Sequence, residues 1–151
     1  MIYRIFDDMS QCSEQEVARL LPLVSSQRRK QALRYTHVYG QYSCLKSYVI
    51  LKELLHEWSG EDTVTLEFLY NEYGAPYLNN GPYFSISHCK QGIAVVVSDR
   101  PVGIDIEGIR RVDARLMRKT MNDAELKMIG MSDTPNVEFI RLWTRKEAYV
   151  K

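Results

Sequence analysis

A chain of 151 residues, 45% hydrophobic and 26% charged, with ten Tyr, four Phe and two Trp, has the makeup of an ordinary globular unit with enough apolar material for a core. Its formal net charge of +1 excludes a global attraction to nucleic acid or to a membrane surface, so any charged partner must be met by a local patch. Cys12, Cys44 and Cys89 are odd in number and lack metal-type spacing, no run approaches the roughly 18 apolar residues of a membrane span, and MIYRIFDDMS carries no apolar signal region, so a cytoplasmic protein is expected.

In chain order, Ile2 to Phe6 alternates as a strand does. Ser13-Glu14-Gln15-Glu16 has a capping-box pattern that predicts helix onward to Leu23. Ser26 to about Tyr35 reads as a basic helix. Gln41 to Trp58 reads as a longer one, with Leu45, Tyr48, Val49, Lys52 and Leu55 at helical spacing. The period then changes to two, predicting a half-buried strand over Val64, Leu66, Phe68 and Tyr70. Turns follow at Tyr73-Gly74-Ala75-Pro76 and Asn79-Asn80-Gly81-Pro82. Three short strands, Tyr83 to Ser87, Ile93 to Ser98 and Val102 to Glu107, predict an antiparallel meander. Helices are expected from about Asp113 to Thr120, from Asn122 or Asp123, and after Thr134-Pro135, where Thr is a cap and Pro suits the first turn. The last helix is still running at Lys151.

Four groups of residues could carry chemistry. In Val102-Gly103-Ile104-Asp105-Ile106-Glu107, a strand would turn Asp105 and Glu107 to one face, where two carboxylates repel unless a cation lies between them. Magnesium, which takes one or two carboxylates with substrate phosphates, suits such a pair; two ordinary surface acids are the plainer alternative. On a helix, Trp143, Glu147 and Lys151 fall on one stripe, readable as a third ligand with a phosphate contact or as a surface ion pair beside a packed Trp. Ser85, Ser87 and His88 end a predicted strand, where serine and histidine can donate to phosphate; a Cys89–His88 catalytic pair is disfavoured because neighbours on a strand point apart. Arg28, Arg29, Lys30 and Arg34 put four cations within two helical turns, a phosphate patch or a solvated face.

The order of these groups is more specific than any one of them. Phe-Ser-Ile-Ser-His, then Val-Gly-Ile-Asp-Ile-Glu, then Trp-x-x-Lys-Glu-Ala-x-x-Lys resembles the signature of the 4′-phosphopantetheinyl transferases. An N-terminal portion of about a hundred residues before Asp105 resembles the larger, surfactin-synthetase-activating type, and the likeness includes Asn71 to Pro76. It implies an α+β protein of α/β-type halves related by a pseudo-two-fold axis, with residues 1–101 as the N-terminal half and 102–151 as the opening of a second half that is incomplete at its C-terminus. A truncated form is therefore expected.

The resemblance also implies the chemistry: transfer of the 4′-phosphopantetheine arm of coenzyme A to a serine of an apo acyl or peptidyl carrier protein, with release of 3′,5′-ADP. Asp105, Glu107 and Glu147 would hold Mg2+; Arg28, Ser87, His88 and Lys151 would bind coenzyme A. Asp105, Glu147 and Lys151 would be catalytic, with either Glu147 or a metal-bound water removing the serine proton. Glu125 matches a position near the family's active site. Arg110, Arg111, Arg115, Arg118 and Lys119 form a stretch suited to an acidic carrier. Ala75 stands where family members often have lysine, and Ser43 where an arginine is common. Those departures keep a second reading open, a non-catalytic coenzyme A or nucleotide-binding module; neither nucleic acid nor membrane is expected as a partner.

Overall fold

The structure is a computed structural model and describes residues 1–60, 68–72 and 76–151. The elements are β1 (Ile2–Phe6), α1 (Glu14–Leu20), α2 (Ser26–Ala32), α3 (Val38–Ser59), β2 (Leu69–Tyr70), β3 (Pro76–Tyr77), β4 (Tyr83–Cys89), β5 (Gly92–Ser98), α4 (Ala114–Thr120), α5 (Asp123–Met131) and α6 (Pro135–Val150). This is the α+β arrangement expected. Short 3₁₀ turns precede α1 and follow it.

Among the described residues the main sheet is antiparallel, ordered β1-β5-β4, with Ile2 opposite Val97 and Tyr83 opposite Ser98. The N-terminal strand, rather than 102–107, is thus the third member, and the expected meander is corrected. Residues 101–113 carry neither helix nor strand. Side chains, not a neighbouring strand, take up the backbone groups of Ile104 in this segment. Ile104 N donates to Ser85 Oγ (3.2 Å), and Ile104 O accepts from Lys151 Nζ (3.3 Å). The predicted strand over Val64 to Tyr70 falls mostly outside the described residues, as does most of the Tyr73 turn; Leu69–Tyr70 pairs with Pro76–Tyr77.

Every residue of β5 is buried, as befits a central strand. Ile93, Val95 and Val97 pack with Leu45, Tyr48, Leu51 and Leu55 of α3, and α1 and α2 close on the helix from outside. Almost the whole circumference of α3 is therefore buried between Gly40 and Leu55, including Ser43 and Ser47, so the narrow apolar stripe expected there is too small. The helix starts earlier than predicted because His37 caps it, its Nδ1 accepting from Gly40 N (2.9 Å). It ends at Gly60, whose φ of 71° is the left-handed conformation glycine adopts without a Cβ penalty.

Ser13 caps α1, accepting from Glu16 N (3.3 Å), while Glu16 turns to pair with Arg19. The full capping box lies instead at α5, where Asn122 and Glu125 satisfy each other's backbone N–H. Pro135 opens α6, as its fixed φ allows, but the Thr134 side chain makes no capping hydrogen bond. A second, smaller cluster of Met121, Ile129, Phe139, Ile140 and Leu142 holds α5 against α6, with Trp143 stacked on Phe139 (ring centroids 6.1 Å apart). No helix of the described residues is long and apolar enough to cross a membrane.

Candidate functional site

Strand β4 divides the site in two because its side chains alternate between the faces of the sheet. Phe84 and Ile86 face the α3 core, and His88 follows on that side at the strand's end. Ser85 and Ser87 face the other way, toward the irregular segment that carries Asp105.

On the first side is a cleft of about 490 Å³ lined by Arg28, Gln31, Arg34, Tyr35, Tyr70 and His88, among others. Arg28 is fixed within it. Its Nε donates to Cys44 O (3.1 Å), Nη1 to Gln31 Oε1 (3.2 Å) and Nη2 to Ser47 Oγ (3.4 Å), and its guanidinium lies 5.0 Å from the Tyr48 ring centroid. Such a guanidinium is oriented before any ligand arrives. His88 is held below the ordinary imidazole range, first by desolvation and then by the positive charges of Arg28 and Lys151. Its side chain is open at the cleft mouth, so the desolvation is that of a crowded rim rather than a sealed interior. Arg29, by contrast, donates to Leu21 O (3.1 Å) and serves the fold.

On the second side three polar side chains meet. Lys151 Nζ lies 2.5 Å from Asp105 Oδ1 and 2.9 Å from Ser87 Oγ, and Ser87 Oγ donates to the same Oδ1 at 2.7 Å. The Asp105 side chain is only 6% exposed and that of Lys151 31%, so the carboxylate is shielded from water while the ammonium reaches the surface. Residues 64 positions apart are thereby brought together. The approach depends on Gly103: a Cβ there would stand 1.7 Å from Ala148 O, so any side chain would push the end of α6 away. An opening of about 1180 Å³ lined by Ser85, Gly103, Ala148 and Lys151 adjoins this knot and shares Pro76 and Ile86 with the first cleft.

Glu107 and Glu147 are half-buried on the flanking segment and helix, and neither makes a hydrogen bond or ion pair with Asp105. Among the described residues no three His, Cys, Asp or Glu side chains converge as a metal cage. The donor chemistry nevertheless fits a hard cation. Asp105 Oδ2 is buried and has no hydrogen-bond partner, an arrangement that costs free energy unless a positive group completes it.

Glu125 takes a structural part as well, accepting from Asn122 N (2.8 Å) and from Lys146 Nζ (2.6 Å), which also donates to Thr120 O (2.8 Å). Lys146 thus ties α6 to the α4–α5 junction. Those contacts, Lys146 first, hold the Glu125 carboxyl below its usual range. Cys89 Sγ donates to Gln91 Oε1 (3.4 Å) and not to His88. Burial pushes the Cys44 thiol up, which makes a thiolate nucleophile there unfavourable. Sequence reasoning missed Gln31, Tyr70 and Gly103; only Gly103, inside a motif already singled out, left a signal.

Fold and site define an α+β protein with a cationic cleft on one side of an edge strand and, on the other, a buried carboxylate and serine met by a lysine from the surface. Residues 101–151 match the family model of the 4′-phosphopantetheinyl transferase superfamily. The 4′-phosphopantetheinyl transferase gsp of Aneurinibacillus migulanus is 30% identical over 85% of this chain and 55% of its own length. The transferase Sfp of Bacillus subtilis (strain 168) is 25% identical over 99% of this chain and 68% of its own, and AcpT of Salmonella typhi is 37% identical over 56% and 48%. The chain thus spans roughly half to two thirds of the length of these curated relatives. Over residues 101–151 the chain resembles the 4′-phosphopantetheinyl transferase superfamily, and along most of its length it is similar to the transferases gsp and Sfp.

Proposed function

We propose that the protein transfers the 4′-phosphopantetheine arm of coenzyme A to a serine of an apo acyl or peptidyl carrier protein, releasing 3′,5′-ADP. The observation that carries this is Asp105. Its Oδ1 is held by Lys151 and Ser87 while Oδ2 lies buried without a partner, beside a cleft that presents Arg28 and His88. In this reading Asp105, Glu107 and Glu147 hold Mg2+. When bound, the ion supplies charge neutralisation on the pyrophosphate.

The remaining work belongs to the chain's own side chains. Arg28 and His88 fix the 3′-phosphate end. Ser87 and Lys151 face the pyrophosphate, where the lysine ammonium stabilises charge developing as the bond from phosphorus to the leaving oxygen breaks. The carrier serine oxygen forms the new bond to phosphorus, and its proton is accepted by Glu147, one turn before Lys151 on α6. Fixed donors of this kind act mainly by positioning and electrostatics, as in other phosphoryl transfers.

Arg110, Arg111, Arg115, Arg118 and Lys119 are all exposed, and we assign them the docking of an acidic carrier. We divide the chain at residues 101 and 102, a division supported by the separate hydrophobic clusters on either side. A cytoplasmic setting is supported by the three free cysteines.

Incubation with coenzyme A, Mg2+ and an apo carrier, followed by weighing the carrier, tests the reading. Addition of one phosphopantetheine mass is expected. Asp105→Ala should cut the rate about 100- to 1000-fold, as loss of a charge-stabilising contact does elsewhere. Tight coenzyme A binding without any mass gain would favour the non-catalytic module.

A further inference from the structure

Lys151 uses its whole hydrogen-bonding capacity inside the knot. An ammonium has three N–H donors and no acceptor, and those of Lys151 meet three oxygens: Asp105 Oδ1 at 2.5 Å, Ser87 Oγ at 2.9 Å and Ile104 O at 3.3 Å. Ser87 is committed as well, its hydroxyl donating to Asp105 Oδ1 at 2.7 Å. Held this way, neither side chain has a donor left for a phosphate oxygen. The second carboxylate oxygen, Oδ2, is buried and has no partner among the described residues. The carboxylate is thus compensated on one side only, by a cation that the chain itself carries. That cation is not sealed in. The Lys151 side chain is 31% exposed, against 6% for Asp105, and its flexible four-carbon stem can swing outward without moving the backbone at the end of α6.

We propose that Lys151 is a tethered counter-ion of Asp105, and that a divalent cation takes its place there and frees the ammonium for the ligand. The inference rests on the reading of Asp105 as a ligand of a hard cation and adds an order of events to it. Magnesium-type ions sit about 2.1 Å from a carboxylate oxygen, so one bound to Asp105 stands within a few ångströms of the ammonium. Two positive charges that close, beside a carboxylate only 6% exposed, repel strongly because little water screens them. The lysine is the mobile member of the pair, so it is the one that leaves. Its departure returns three N–H donors to the side of the opening that Lys151 lines. Loading of the cation therefore arms the lysine, and until then Asp105 keeps it locked.

Two measurements on the chain without coenzyme A test this, with Mn2+ as the probe. The first is Mn2+ affinity by titration calorimetry for wild type, Lys151→Met and Asp105→Ala. Lys151→Met should bind Mn2+ about tenfold or more tighter than wild type, the scale on which one neighbouring charge shifts an ionic equilibrium. Asp105→Ala should scarcely bind it. The second is the rate of reductive methylation of Lys151 in the wild-type chain, mapped by mass spectrometry with and without saturating Mn2+, which requires no variant to fold. Mn2+ should speed methylation of Lys151 severalfold and leave Lys146, held by Glu125 and Thr120 O, unchanged. An affinity that Lys151→Met leaves unchanged or weakens would overturn the proposal. So would tighter binding in that variant with no gain in wild-type methylation, since the lysine would then act through its field without leaving Asp105. Mn2+ bound equally well by Asp105→Ala would overturn the metal reading itself.

Discussion

The two sides of β4 are held in place by very different amounts of structure. Arg28 and its neighbours stand on α2 and α3, which are anchored in a cluster that includes Leu45, Tyr48, Leu51 and Leu55 with Ile93, Val95 and Val97 of β5. Three hydrogen bonds and the Tyr48 ring hold the guanidinium itself. The Ser87–Asp105–Lys151 knot, in contrast, closes over an irregular segment, and its lysine comes from the end of a helix steadied by a five-residue cluster. The cleft is a feature of a core; the knot is a feature of an approach between two backbones. Mutations should therefore separate them, with binding at the cleft surviving changes that destroy geometry at the knot.

The sharpest way to break this contrast is Gly103→Ala. The added methyl collides with Ala148 O, and backbone on both sides must move. A displacement near 1 Å can cost about a hundredfold in rate, so carrier labelling should fall by roughly that factor. Binding of 3′,5′-ADP in the Arg28 cleft should stay within about twofold of wild type, a margin well under 1 kcal/mol. Equal loss in both assays would mean that the two sides are one mechanical unit.

A smaller effect is expected at the surface. Charge reversal at Arg111 and Arg115, both exposed, should raise KM for an acidic carrier by several-fold up to about tenfold, with KM for coenzyme A unchanged. Raising the salt should shrink the difference, since exposed charges are screened within about 10 Å at 0.1 M. An equal rise in both KM values would place these arginines at the coenzyme A site instead.

The smallest effect is a titration. His88 is depressed by desolvation, Arg28 and Lys151, so in the free protein its proton should leave below the ordinary imidazole range. Unfolded chain then binds more protons than folded chain in that window, and His88 lowers stability as pH falls through it; at neutral pH its contribution is absent. A bound phosphate reverses the field. NMR titration of His88 should move upward on adding 3′,5′-ADP, and affinity should strengthen as pH falls toward the imidazole range. A downward move, or none, would remove His88 from the ligand's surroundings.

Much of this was legible in the chain. The helices follow their caps and periods: Ser13 starts α1, Asn122 and Glu125 start α5, and Pro135 opens α6. Ser85 and Ser87 share a face as alternation requires, and the motifs containing Ser87, Asp105 and Lys151 do meet. Alternation misled at Val102 to Glu107, because period two describes which way side chains point and not whether a neighbouring backbone supplies the ladder. There Ser85 Oγ and Lys151 Nζ take the places of strand partners. The Asp105–Lys151 pairing could not be seen either, since it depends on a single glycine allowing close approach across the 44 residues of chain between Gly103 and Ala148.

The assignment of Asp105 is tested most directly by coenzyme A binding measured calorimetrically with and without Mg2+, in wild type and in Asp105→Ala. The buried, unpartnered Oδ2 predicts that Mg2+ strengthens binding to wild type by at least tenfold, a gain of about 1.4 kcal/mol. In Asp105→Ala that gain should vanish, while the metal-free affinity supplied by Arg28 and His88 remains. A wild-type affinity indifferent to Mg2+, or a variant that keeps the full magnesium effect, would contradict the account.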